Sequence, residues 1–345
     1  MSIEIFFETI SYRTAKSLWK GVHKFYFHKM LDTIKNKEIK MIDIFMKAGS
    51  YISIIALAYC LKKMKLFQDG DHRLLSKIIM NVTLPAAILS SFQQVEQLTG
   101  QFLWLLWIGL FANIVLLAIA WVFCRKKSDQ EKIHWMCNTA GYNIGCFTIP
   151  FAQGFLGSIG VVTACLFDAG NSIMCTGGTY AVASAVVSKG KSEGFNWKET
   201  CKKLLCSVPF DCYMIALALR FLNLGVPSFV NQVSDIIGNA NGFLSMFMIG
   251  IMLEFHFDKK HLKKIFSVLF VRYVFGACMA FLCYYYLPFS LDIRQAMVII
   301  SFAPLPSLSC VFTEKCNGDI ELASMTNSFA ILVSMVLMTI CIMVM

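Results

Sequence analysis

The stretch Tyr142-Asn-Ile-Gly-Cys-Phe-Thr-Ile-Pro150 interrupts an apolar segment that runs from residue 132 to residue 153. Proline lacks an N–H and clashes with the preceding helical turn, so it leaves backbone carbonyls inside a helix without partners. At membrane depth such groups are tolerated only beside protein or a water-filled cavity. A second interruption, Ser-Phe-Ala-Pro-Leu-Pro-Ser-Leu-Ser at residues 301–309, lies in the segment 293–313. The two stretches predict two broken membrane helices.

The composition of the whole chain agrees with a membrane location. Of its 345 residues, 57% are hydrophobic and 15% are charged, and the mean hydropathy is +0.63. Soluble domains carry roughly 45–50% apolar and about 25% charged residues, so the composition excludes a soluble globule. The 14 cysteines show no CxxC pair and no Cys/His cluster at zinc spacing. We therefore interpret them as small hydrophobic residues and predict no metal site.

Apolar runs of the length of a bilayer recur along the chain, since a spanning helix needs about 20 mostly apolar residues. They predict an all-α polytopic membrane protein with about ten transmembrane helices. A central loop at 188–204 separates a first repeat of five helices, 42–187, from a second, 205–345. Because each repeat has an odd number of spans, the repeats insert in opposite directions. The predicted spans are 42–62, 73–93, 101–124, 132–153, 158–187, 205–224, 228–255, 262–288, 293–313 and 319–345.

Loops rich in lysine and arginine alternate with loops that carry almost none. By the positive-inside rule the basic loops are cytoplasmic, and ten spans in a plasma (inner) membrane then place both termini outside. Residues 1–41 form a basic amphipathic extension that fits either a helix lying on the membrane surface or a partly disordered segment. Its eight lysines and arginines within 1–40 break the charge pattern. Either this extension crosses the membrane regardless of its charge, or it is absent from the mature protein.

Four motifs occur in order across residues 42–345. They are Asn-Val-Thr-Leu-Pro-Ala-Ala-Ile-Leu-Ser-Ser-Phe at 81–92, Asn-Ile-Gly-Cys-Phe-Thr-Ile-Pro at 143–150, Phe-Asp-Ala-Gly-Asn at 167–171, and Ala-Pro at 303–304 followed by Cys-Asn-Gly-Asp-Ile-Glu-Leu-Ala at 316–323. Together they resemble the auxin efflux carrier family, in its bacterial branch, within the bile acid/arsenite/riboflavin transporter superfamily. The resemblance implies a scaffold part and a core part, with spans 4 and 9 crossing in the core. It also implies transport of small carboxylates.

A crossover directs the N-termini of half-helices toward a cavity, and their unpaired N–H groups and positive dipole ends suit a carboxylate. Asn143 could contact this substrate directly, because its amide offers both a donor and an acceptor. Alternatively, it could cap the broken helix. The residues predicted at the crossover are Asn143, Gly145, Ser307 and Ser309 for substrate binding and Pro150, Pro304 and Pro306 for the helix breaks.

Two charged side chains lie deep inside predicted spans, where charge is costly and points to function. Asp168 in span 5, with Asn171, is a candidate for binding a coupling proton or Na⁺. Alternatively, its carboxylate could be hydrogen-bonded to Asn171, Thr163 or a neighbouring backbone group and serve packing only. Arg272 lies about ten residues into span 8. We expect it to extend toward the cytoplasmic surface, in preference to pairing with Glu254 or Asp168.

These features favour a secondary carrier of small organic anions, such as mono- or dicarboxylates, that works by alternating access. The membrane potential or a coupled proton or Na⁺ would drive it. The alternative is a ligand-binding receptor or sensor on a carrier scaffold. The sequence has no P-loop, HExxH or GxSxG motif, so we predict neither an enzyme nor a bound cofactor. The expected partners are the organic anion, membrane lipid and a second copy of the chain in a homodimer, with no nucleic acid.

Overall fold

The computed structural model describes residues 41–68, 70–95, 100–187, 197–222, 224–253 and 259–345. The predicted N-terminal extension therefore lies outside the described residues, apart from Met41. In the described ranges the secondary structure is helical and contains no strand. This confirms the all-α prediction.

The helices follow one another with short connections. They are α1 (Met41–Lys63), α2 (His72–Ile78), α3 (Leu84–Gln94), α4 (Trp104–Cys124), α5 (Asp129–Thr139), α6 (Ile149–Ile173), α7 (Thr179–Val187), α8 (Trp197–Leu205), α9 (Val208–Phe221), α10 (Ser228–Met252), α11 (Lys259–Tyr286), α12 (Leu291–Ser301), α13 (Leu308–Lys315) and α14 (Ile320–Val344). A short 3₁₀ turn, Gly100–Leu103, precedes α4. Among the described residues, π-helical turns at Ile79–Thr83 and Met174–Gly178 join consecutive helices, and a third, Ile144–Thr148, leads directly into α6.

Seven helical stretches among the described residues are long and apolar enough to cross a membrane. The number is lower than the predicted ten for three identifiable reasons. Predicted span 9 is broken into α12 and α13, and predicted span 6 holds a helix of only 14 residues. The second half of span 4 and all of span 5 form one stretch of 44 residues, Ile144–Val187. That stretch changes direction at Gly157, whose φ of 62° is not helical. The polytopic membrane architecture is confirmed.

Two compact units divide the chain between Gly49 and Ser50. The described part of the first unit, 41–49, is helical, and Lys47 pairs there with Asp43 at 3.1 Å. The second unit runs from Ser50 to Met345 and contains every feature discussed below.

Close packing of α4 against α6 fixes the centre of the second unit. A Cβ atom added to Gly170 would lie 1.9 Å from the Leu106 carbonyl oxygen, and one added to Gly109 would lie 2.1 Å from the Phe167 carbonyl oxygen. Glycine at both positions lets the two backbones touch, as small residues do between membrane helices. This contact sets the depth at which the polar residues of α6 face the break in span 4.

Candidate functional site

Predicted spans 4 and 9 are both interrupted. In span 4, α5 ends at Thr139, and the π turn begins at Ile144 after four non-helical residues. Gly141 within this break has a φ of 92°, which favours glycine. A Cβ there would also lie 2.6 Å from the Pro306 ring, so both the backbone conformation and the available space require glycine. In span 9, residues 302–307 separate α12 from α13.

The two breaks contact each other directly. The backbone N–H of Asn143 donates to the Pro304 carbonyl oxygen at 2.9 Å. After this contact the chain enters the π turn at Ile144, while α13 begins at Leu308. N–H groups in the first turn of a helix lack intrahelical partners. Two helix starts therefore lie next to the point where the breaks meet. The Ile144 and Ser309 N–H groups bond the Tyr142 and Pro306 carbonyls, so it is the positive dipole ends of the helices that favour an anion.

Two buried asparagines hold the break in span 4 open. Asn171 donates to the Tyr142 carbonyl at 2.9 Å and accepts from the Tyr142 N–H at 3.1 Å. Asn113 on α4 donates to Asn171 at 3.1 Å and accepts from the Gly141 N–H at 2.6 Å. The side chains thus replace the helical hydrogen bonds that the break removes, which satisfies backbone groups that would otherwise be costly at this depth.

Arg272 on α11 lies between the two breaks and is only 2% exposed. Its guanidinium donates to the Thr139 carbonyl at 2.6 Å and to the Ala303 carbonyl at 2.8 Å, with a longer bond to Pro304 at 3.3 Å. It also lies over the Tyr142 ring, 4.7 Å from the centroid. The expectation that Arg272 extends to the membrane surface was wrong, because these carbonyls satisfy the guanidinium inside the protein.

Asp168 on α6 links the break to another helix. Its carboxylate accepts from Asn171 at 2.8 Å and from the Tyr213 hydroxyl on α9 at 3.0 Å. The residue as a whole is half-buried. Asp168 therefore connects the asparagine pair that holds span 4 with α9, and no ion pair with Arg272 occurs among the described residues. Glu254, the other predicted partner of Arg272, lies outside those residues.

Asn143, predicted to bind substrate, is 9% exposed, and its side chain does not cap the following turn. Within the described part of the chain this amide has no hydrogen-bond partner, although the backbone carbonyl of Asn143 accepts from Thr148. Capping of the broken helix, the alternative role for Asn143, is therefore not what the amide does here. With respect to the described residues, the amide therefore keeps its donors and its acceptor available.

The other predicted crossover residues lie around the same point. Gly145 faces Met80 and Leu84 at the π turn of span 2. Ser307 precedes α13 and is partly exposed, whereas Ser309 is fully buried, with no hydrogen-bond partner for its hydroxyl among the described residues.

The three prolines occupy different places. Pro304 and Pro306 lie inside the break of span 9. Pro150 lies after the break of span 4, as the second residue of α6, and its carbonyl accepts from the Tyr51 hydroxyl at 3.3 Å. Because the π turn Ile144–Thr148 runs directly into α6, Pro150 lies inside a continuous helical stretch, where its missing N–H removes one backbone hydrogen bond.

Sequence reasoning did not predict a role for Asn113 or Tyr213, nor the backbone contacts of Arg272. The sequence did hold one signal, a polar side chain inside an apolar segment, because Asn113 lies in the middle of the apolar helix α4. Their partners are backbone carbonyls or side chains far along the chain, which no local pattern reveals. Among the described residues, no three His, Cys, Asp or Glu side chains are grouped to hold a metal ion.

Comparison with known proteins identifies the family. A family model described as a membrane transport protein matches residues 43–342. The chain belongs to this family, that of the auxin efflux carriers. It is also similar to an uncharacterized transporter of Methanothermobacter thermautotrophicus, with 22% identity over 282 residues, covering 80% of this chain and 89% of the relative. The resemblance inferred from the four motifs is confirmed, and the protein is an integral membrane protein of a transporter family.

Proposed function

We propose that this auxin efflux carrier family member is a secondary carrier of small organic anions that works by alternating access. The contact between the two breaks, Asn143 N–H to Pro304 carbonyl, carries the proposal. It brings two helix starts to one point, and Arg272 lies beside them. Positive helix ends and a guanidinium attract carboxylates, and the free amide of Asn143 supplies a directed hydrogen bond.

The energy source follows from the charge of the cargo. An anion that leaves a cell with a negative interior gains about 2.3 kcal/mol per charge per 100 mV, so outward transport needs no coupling ion. If a coupling ion is used, Asp168 is the group that would bind a proton or Na⁺. Its position supports this role, because the carboxylate contacts both the residue that holds the break of span 4 and Tyr213 on α9. The basic loops would face the cytoplasm of a plasma membrane.

Charge movement in proteoliposomes on a solid-supported membrane tests the proposal. The purified chain is exposed in turn to malate, malonate, lactate, succinate and an indole acid, with and without Na⁺ and at two pH values. We expect a saturable current for at least one of these anions that empty liposomes do not give. The absence of both a current and a ligand-induced thermal shift for every anion would contradict transport of carboxylates.

A further inference from the structure

We propose that Arg272 ties the two helix breaks together and, as a fixed positive charge beside them, makes the crossover favour dianions over monoanions. The inference deepens the proposed function and rests on it. The first observation that supports this inference is that the Arg272 side chain contacts both breaks. The guanidinium bonds the carbonyl of Thr139, at the end of α5, and that of Ala303, just after α12. A single residue of α11 thereby joins both breaks.

The shape of arginine matters for this junction. A guanidinium is planar and presents its donors as a fixed fork, so its two terminal nitrogens can point at two different backbone segments at once. In this structure one terminal nitrogen serves span 4 and the other serves span 9. Lysine carries the same charge on a single nitrogen and lacks the fork. Arg272→Lys therefore separates the charge of Arg272 from its geometry.

The charge of Arg272 is not neutralised by another side chain of the described residues. Its neighbours are neutral carbonyls and the face of the Tyr142 ring. The carbonyls lie where α5 and α12 end, and they bring only the partial negative charge of helix C-termini. A buried cation without a counter-ion is expensive at membrane depth and indicates function. The missing counter-ion would be the carried anion.

This placement has a consequence for selectivity. Coulomb attraction to a fixed charge scales with the charge of the ligand, so a dianion gains twice what a monoanion gains from Arg272. Replacing Arg272 by glutamine removes that gain. We expect the preference for a dianion over a monoanion of the same size to fall about tenfold. A role confined to packing would weaken both ligands equally.

The first arm of the test measures backbone amide hydrogen exchange in the full-length chain, for the parent, Arg272→Gln and Arg272→Lys. Arg294→Gln is the matched control, because Arg294 also donates to a carbonyl and lies over a tyrosine ring, both of Tyr284, away from the breaks. We expect faster exchange in both 140–148 and 302–309 for Arg272→Gln, and parent-like exchange there for Arg294→Gln. Faster exchange in only one break, or in neither, would contradict the claim that Arg272 joins the two breaks.

The second arm compares binding of succinate with binding of succinamate, its monoamide of nearly the same size and one charge less. We expect the succinate preference to fall about tenfold in Arg272→Gln and to stay within twofold of the parent in Arg272→Lys and Arg294→Gln. An equal loss for both ligands, or the same fall in Arg272→Lys, would overturn the charge role. If the parent responds to none of the anions in the transport screen, the proposed function has failed, and the exchange arm alone still decides whether Arg272 joins the breaks. If the parent responds to another anion of that screen but not to succinate, a dianion site has failed while the carrier function stands.

Discussion

Replacing Asn171 by leucine, a side chain of similar size without polar atoms, should loosen the break in span 4. The substitution leaves the Tyr142 N–H without its partner, whereas the Tyr142 carbonyl keeps the Ile144 N–H as a donor. The Asp168 carboxylate also loses the Asn171 donor but keeps that of Tyr213. A buried polar group without a partner costs about 1–3 kcal/mol. Single hydrogen bonds between membrane helices average only about 0.6 kcal/mol, because their partners rearrange. We therefore expect a loss in the lower part of this range, about 1–2 kcal/mol.

Unfolding of purified protein in mixed SDS–detergent micelles measures this loss. Asn81→Leu is the control, because Asn81 is exposed and donates only to the Lys77 carbonyl of its own helical turn. We expect Asn81→Leu to unfold at the same SDS fraction as the parent, while Asn171→Leu unfolds at a clearly lower SDS fraction. An Asn171→Leu variant as stable as the parent would refute the reasoning that side chains replace the missing helical bonds.

Three further changes test other parts of the structure. Gly170→Ala forces a Cβ to within 1.9 Å of the Leu106 carbonyl oxygen and should cost about 1–3 kcal/mol in the same unfolding assay, whereas Gly225→Ala, with open space around it, should cost almost nothing. Equal stability of the two variants would contradict the close contact. Tyr213→Phe removes one bond to Asp168 and should lower stability by about 1 kcal/mol; no change would show that the bond is not maintained in the protein. Asp168→Asn should keep a substrate-dependent current but lose its dependence on Na⁺ or pH, and an unchanged dependence would exclude Asp168 as the coupling group.

Much of the architecture could be predicted because the bilayer imposes it. Runs of about 20 apolar residues mark helices whatever their neighbours are, and Gly and Pro mark where a helix stops. The position of the first break was harder to predict. Proline suggested Pro150, whereas the helix stops at Thr139 and resumes before that proline. The helix resumes at Ile144 through the π turn, so Pro150 lies inside the resumed helix and marks neither end of the break.

The contacts inside the site could not be predicted for a different reason. Asn171 binds the backbone of Tyr142, and Arg272 binds the backbone of Thr139 and Ala303. Every residue has a backbone carbonyl, so the sequence carries no trace of which carbonyl a side chain will find. The charge of Arg272 signalled function, but only the meeting of three distant segments shows that the guanidinium is satisfied in the interior.

The most direct test of the central claim, an anion site where the two breaks meet, is the substrate-dependent current of Asn143→Ala beside Asn81→Ala. Both substitutions remove one amide, but only Asn143 lies at the contact with Pro304. We predict that Asn143→Ala loses at least tenfold in apparent affinity, consistent with one directed hydrogen bond to a charged group of about 1.5–3 kcal/mol, while Asn81→Ala matches the parent. Currents of equal affinity in the two variants would place the substrate elsewhere and contradict the account.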